Sequence, residues 1–202
     1  MQITRGFRVS LVSVVVLVLG AVASCSPAIK EESPQKSPKI EAALTDLKLA
    51  DASGRELVDA LDRLPVAQRP SELMASVRVH EVVLSDSSKN ELMLALPDDE
   101  FYVSFAPYIE STHPCTFHSL TTCLGEMRNA DISVKVTDTE SGKVLLNDKV
   151  TTFDNGFYGL WLPRDGEFAL EVSDEGKSGK SGRFAISTDA DSATCVTDLK
   201  LT

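Results

Sequence analysis

The sequence contains no Cys-x-x-Cys pair, which excludes a thioredoxin-like redox couple and a Cys-x-x-Cys-His haem attachment site. It has no Gly-rich phosphate loop and no Gly-x-Ser-x-Gly elbow, so neither nucleotide binding nor an α/β-hydrolase nucleophile is encoded in a recognisable form. A surplus of basic residues is missing too. The formal net charge is -10, and such a surface repels nucleic-acid phosphates. Only three histidines, four cysteines and one tryptophan occur in 202 residues. The acids Asp98, Asp99 and Glu100 cluster in a turn and read as a solvated corner, not as a general acid and base. No long internal repeat is present.

The longest apolar run, from about Val9 to Ala23, is shorter than the roughly 20 residues a bilayer-crossing helix wants. Arg5 and Arg8 precede it, small residues follow it, and no acid occurs before Glu31, the layout of an export signal over residues 1–24. The "VASC" ending is similar to the lipobox of bacterial lipoproteins, which makes Cys25 the expected lipidation site and membrane anchor; cleavage nearby without lipid is the alternative. The expected location is therefore the cell envelope, on the periplasmic side. Residues 25–39 hold the anchor and the run "SPAIKEESPQKSPK", too proline-rich and charged to bury surface. It reads as a tether reaching ~40 Å when extended.

Beyond the tether the hydrophobic period changes twice. From Ile40 to Leu64, Leu44 and Leu47, then Leu57, Val58, Leu61 and Leu64, follow helical spacing; Ser53 and Glu56 fit a capping box, and Pro65 ends the run. "RPSELMAS" is expected to add a short helical turn. "VRVHEVVLS", "ELMLALP" and "FYVSFAPY" then alternate as strands of an antiparallel meander, with His80 in the first as an ordinary strand residue. After Asn129, "DISVKVTD", "KVLLNDKVTTF", "FYGLWLP", "EFALEVS", "RFAIST" and "TCVTDLKL" are separated by Gly/Asp turns, the grammar of a sandwich or partial barrel with Trp161 in its core. The fold class expected is α+β: a short N-terminal helical region, an antiparallel β meander and a β-sandwich-like C-terminal region. The helix-plus-β part is placed at residues 40–107 and the cysteine-bearing β-rich part at 108–202.

The run "THPCTFHSLTTCLGE", Thr112–Glu126, collects two cysteines and two histidines. With Cys25 in lipid, Cys115, Cys123 and Cys195 remain, an odd number for an exported chain. As a helix from Pro114 to Leu124, the segment would put Phe117, Leu120 and Leu124 on one side and Cys115, His118 and Cys123 on the other. Yet eight residues of helix separate the two sulfurs by ~12 Å, whereas ligands of one ion lie within about 4 Å of each other. The segment is therefore expected to bend or break, with Cys195 arriving from the last strand; otherwise Cys115 acts with His118 and Cys123 pairs elsewhere. Thiolates and imidazole are soft donors suited to Cu(I) or Zn(II), and the Cys-x2–4-Cys pair common in structural zinc sites is absent. A plain disulfide, with Cys123 clamping Cys195, remains the competing reading, in an envelope lipoprotein that binds another protein without metal.

The stretch "FYVSFAPYIESTHPCTFHSLTTCLGEM", Phe101–Met127, resembles the signature of the CueP family of bacterial periplasmic copper-binding proteins. "LVDALDRLPVAQRPSELMASVR", "GFYGLWLPRDG" and "TCVTDLKL" extend the resemblance over most of the chain after the tether. The resemblance implies copper as cargo, held as Cu(I) by Cys115, Cys123 and Cys195, with His118 as the nitrogen partner and His113 as the alternative. It implies a non-enzymatic role in copper resistance: sequestration, and delivery to a copper-accepting protein. Thiol chemistry adds a secondary role, reduction of Cu(II) by two sulfurs that close a disulfide, which a partner reductase then reopens. The resemblance also implies an N-terminal region used in homodimer formation. The lipid anchor is the departure, since family members are often soluble in the periplasm.

Overall fold

The computed structural model describes residues 37–202, with Lys177 excepted. The expected export signal, Cys25 and most of the tether lie outside the described residues. Helix α1, Pro38–Asp46, begins two residues inside the segment read as tether. Pro38 occupies the first turn, where no amide is missed, and Ser37 caps it by accepting from the Ile40 amide while donating to Asp86 Oδ2 at 2.6 Å. Helix α2, Gly54–Asp62, carries the expected capping box between Ser53 and Glu56. It buries Leu57, Val58 and Leu61 and, at its last position, Asp62. Among the described residues no helix is long and apolar enough to cross a membrane.

The helical turn expected in "RPSELMAS" is not there. A single 3-10 turn spans Val66–Gln68, and Leu73–Val77 forms strand β1, with Leu73, Ala75 and Val77 alternating inward. The run "VRVHEVVLS" splits at a turn: β1 ends at Val77 and β2 is Glu81–Asp86, paired antiparallel with Val77 opposite Val82. His80 is thus an exposed turn residue and not a strand residue, its carbonyl accepting from the Leu96 amide. No Gly or Pro marks this turn, which is why hydrophobic alternation reads through it. Strand β3, Glu91–Ala95, completes a three-stranded sheet ordered β1-β2-β3.

Strand β4, Glu100–Phe105, is the partition of the molecule. Its alternation sends Phe101, Val103 and Phe105 into one hydrophobic core, and Tyr102 into the other core, formed by the helices and the first sheet. Strands β5 (Asp131–Asp138), β6 (Val144–Thr151), β8 (Glu167–Asp174) and β9 (Ser181–Ser187) form an antiparallel sheet ordered β6-β5-β8-β9. It contributes Ile132, Val134, Val136, Phe168, Leu170 and Val172 to the first core. Strand β7, Tyr158–Pro163, pairs with β4 on one side, and the two-residue β10, Cys195–Val196, runs parallel to β4 on the other. The α+β class with antiparallel sheets is as expected. β4 and its partners β7 and β10 join chain on both sides of residue 107 in one sheet.

Trp161 is half-buried, not central to the core. Its ring packs against Tyr102 at 4.9 Å, Arg55 lies over it at 4.5 Å, and its Nε1–H donates to Asp59 Oδ1 at 2.9 Å. An indole at a helix–sheet boundary buries its face while its N–H keeps a polar partner.

Candidate metal centre

The segment from Pro114 to Leu124 contains no helix. Its middle instead runs along the free edge of β1: the Val77 amide donates to the His118 carbonyl and the Leu120 amide to the Ala75 carbonyl, both at 2.8 Å. Ser76 bridges Ser119 between them. Strand alternation then turns His118 and Leu120 inward and leaves Ser119 on the outer face. A tight turn returns the chain, with the Cys123 amide donating to the Ser119 carbonyl at 3.1 Å. Eight residues that would span a helix are thereby folded back, and the Cys115 and Cys123 sulfurs stand 3.7 Å apart.

Cys195 arrives through β10. It sits opposite Ser104 in the parallel register, and its sulfur lies at bonding distance from that of Cys115, with the two Cα atoms 5.7 Å apart. Among the described residues the disulfide is therefore Cys115–Cys195, and Cys123 is the free thiol, in place of the Cys123–Cys195 clamp of the competing reading. The ligand atoms of His118, Cys123 and Cys195 lie within 4.8 Å of one another, and those of His113, Cys115 and Cys123 do the same. All four sequence candidates thus converge, and His113 joins them from the Cys115 side. His80 is elsewhere, on its turn.

The inner wall was not read from the sequence. Asp62 and His118 are both buried, and His118 Nε2 donates to Asp62 Oδ1 at 2.7 Å. The same carboxylate accepts from Asn155 Nδ2 at 2.9 Å, Tyr102 Oη at 2.5 Å and Ser104 Oγ at 3.1 Å. Asn155 also donates to the Asp62 carbonyl at 3.1 Å and accepts from the Phe157 amide at 2.8 Å. Gly159 in β7 makes this possible, because a Cβ there would overlap the Tyr102 hydroxyl and press on Asp62. The backbones of Gly125 and Gly156 also approach too closely for side chains, which seats the Asn155–Phe157 loop beside Cys123. A signal for Asp62 did exist: four residues after Val58, an acid falls on the apolar face of α2.

These contacts set the charges. Burial acts most strongly on His118 and disfavours its cation, but the charge and hydrogen bond of Asp62, helped by Cys123, carry its pKa up to about 9. Burial likewise opposes ionisation of Asp62, and His118 with the surrounding donors still holds it below the usual carboxylate range. For Cys123 burial pushes the thiol up, yet His118, the Ser119 amide and Arg69 together bring it below its ordinary value. Arg69 Nη1 also donates to the Cys123 carbonyl at 2.9 Å.

With Nε2 committed to Asp62, the other imidazole nitrogen, Nδ1, faces the sulfurs, 3.8 Å from that of Cys195. A carboxylate that holds one nitrogen of a histidine and aims the other at soft donors is the outer support metal-binding histidines use, and a metal bound at Nδ1 displaces the proton the cation carries there. Thiolate and imidazole donors of this kind suit soft ions such as Cu(I) and Zn(II).

The sequence profile of a family described as periplasmic copper-binding protein CueP matches residues 56–200. This chain belongs to the CueP family. The crystal structure of S.CueP is similar to it, with 42% sequence identity, a TM-score of 0.73, and coverage of 83% of this chain and 99% of that one. Among curated proteins, none matches at a significant level. Family membership makes this a periplasmic copper-binding protein.

Proposed function

We propose that this protein sequesters Cu(I) through the thiolates of Cys115, Cys123 and Cys195, with His118 Nδ1 as the nitrogen donor. The observation that carries this reading is the gathering of the Cys123 and Cys195 sulfurs at an imidazole whose other nitrogen is already held by Asp62, with the Cys115 sulfur against both of theirs. Soft thiolates favour Cu(I) over harder ions, and the burial of His118 and Cys195 removes competing water.

The thiols also supply electrons. Two Cu(II) ions oxidise the Cys115 and Cys195 thiols, giving two Cu(I), one disulfide and two protons. The Cys115–Cys195 bond is what that reaction would leave, and a thiol reductase of the envelope would then restore the ligands. The reaction is stoichiometric, so the protein is a copper carrier and not an enzyme in its own right. Copper passes from it to an accepting protein in the same compartment. Anchoring through lipid at Cys25, a tether from there to α1, and homodimerisation through the region 40–107 complete the reading, with the copper-binding region at 108–202.

The disulfide favours a second reading, a stapled protein-binding module without metal. Anaerobic Cu(I) titration against a chromogenic chelator separates the two. The reduced protein is expected to withdraw Cu(I), and the oxidised protein and the Cys115, Cys123 and Cys195 triple serine variant to bind far more weakly. Equal competition by all three forms overturns the proposal.

A further inference from the structure

Resting on that reading, we propose that His113, Cys115 and Cys123 form a second, outer position for Cu(I), the port through which the ion enters and leaves the inner position at Cys123, Cys195 and His118. The two ligand sets are each compact, each holds two sulfurs and one imidazole, and they share one member, Cys123. They differ in depth. His118 and Cys195 are buried, whereas His113 and Cys115 are half-buried. His113 lines a surface pocket of about 220 Å3 together with Ser111, Thr112, Leu124, Gly125 and Glu126. An ion or a donor's ligand can approach that pocket, while the His118 imidazole is fully buried.

The two imidazoles fall in separate clusters, so no single coordination sphere contains both. The buried ring of Phe157 packs against each, its centroid 4.5 Å from that of His118 and 6.3 Å from that of His113. Transfer between positions therefore proceeds by exchange around the shared sulfur. Cu(I) stays on Cys123, releases His113 and Cys115, and gains Cys195 and His118; no electron moves and each thiolate keeps its charge. The direction is set by support of the imidazoles. Asp62 orients His118, whereas the His113 ring makes no hydrogen bond among the described residues and loses more freedom on binding a metal. The disulfide takes one sulfur from each position at once, so the port and the inner position close together on oxidation.

The test uses the reduced protein, anaerobic, with the Cu(I)–bicinchoninate complex as donor, followed by stopped flow and by equilibrium competition. His113→Gln is expected to slow uptake by about tenfold or more; His118→Gln is expected to lower equilibrium affinity by about tenfold or more, and by clearly more than His113→Gln does. An unchanged rate in His113→Gln overturns the port. So does a loss of affinity matching that of His118→Gln, which would put both histidines on one ion. A second arm reads occupancy directly: Cys195→Ser should keep one Cu(I), and Cys195→Ser with His113→Gln should lose it. Retention in both variants, or in neither, overturns the outer position. If the reduced parent takes up no Cu(I), the reading under "Proposed function" fails as well, which the parent control alone reveals.

Discussion

Asp62 Oδ1 and His118 Nε2 meet at 2.7 Å with both side chains withdrawn from solvent. One residue closes a helix and the other lies in a segment added to a sheet edge, 56 positions away, so the contact joins two parts of the chain behind the cysteine cluster. Asp62→Asn keeps the size of the side chain but leaves the histidine free to place its proton on either nitrogen. Affinity of the reduced protein for Cu(I) is expected to fall by roughly 10- to 100-fold, as for other outer supports of metal-binding histidines. Competition titration at fixed pH measures it, and an unchanged affinity shows that Asp62 does not position the ligand.

The same pair makes stability depend on pH. The pKa of His118, raised from 6.5 to about 9, contributes stability that is fully present below 6.5 and is lost as pH rises through about 9. Asp62, held low, contributes stability above its ordinary pKa that is lost as pH falls through its depressed one. On the alkaline side stability is expected to fall as His118 loses its proton. Urea unfolding of the metal-free oxidised protein measures it, and His118→Gln should flatten that limb of the curve.

Peptide mapping of the oxidised protein should recover Cys115 linked to Cys195. Cys123 should react with an alkylating reagent slowly in the native state and fully after unfolding, because it is 9% exposed. Reduction opens a loop with a sequence separation of 80 and is expected to lower stability by roughly 2–4 kcal/mol. A Cys123–Cys195 peptide pair would contradict the arrangement.

Gly159→Ala places a methyl group where the Tyr102 hydroxyl lies against Asp62. Overpacking at such a site costs about 1–3 kcal/mol, read as a lower denaturant midpoint. Tyr102→Phe in the same background removes the overlapping hydroxyl and should recover part of the loss. No recovery would show that the strain lies elsewhere.

Much of the architecture was legible because its signals are local. Ser53 and Glu56 mark the start of α2, and Gly and Asp residues bracket β5 through β9, so those elements lie where their residues indicate. Strand β1 escaped because "RPSELMAS" carries good helix formers and the turn after it lacks Gly and Pro, while its state is fixed by pairing with β2. Axial distance in a helix was enough to argue that the cysteine segment breaks. It did not reveal that His118–Leu120 adds to the edge of β1, since that pairing is made across 41 or more positions of chain. The role of Asp62 is illegible in the sequence for a related reason: its place on the apolar face of α2 makes sense only once His118, Tyr102 and Asn155 surround it.

X-ray absorption at the copper edge of the reduced protein loaded with one equivalent of Cu(I) tests thiolate coordination most directly. The account predicts a three-coordinate first shell dominated by sulfur, which disappears when Cys115, Cys123 and Cys195 are replaced by serine. A first shell of nitrogen and oxygen alone, or a four-coordinate shell unchanged by those replacements, would contradict it.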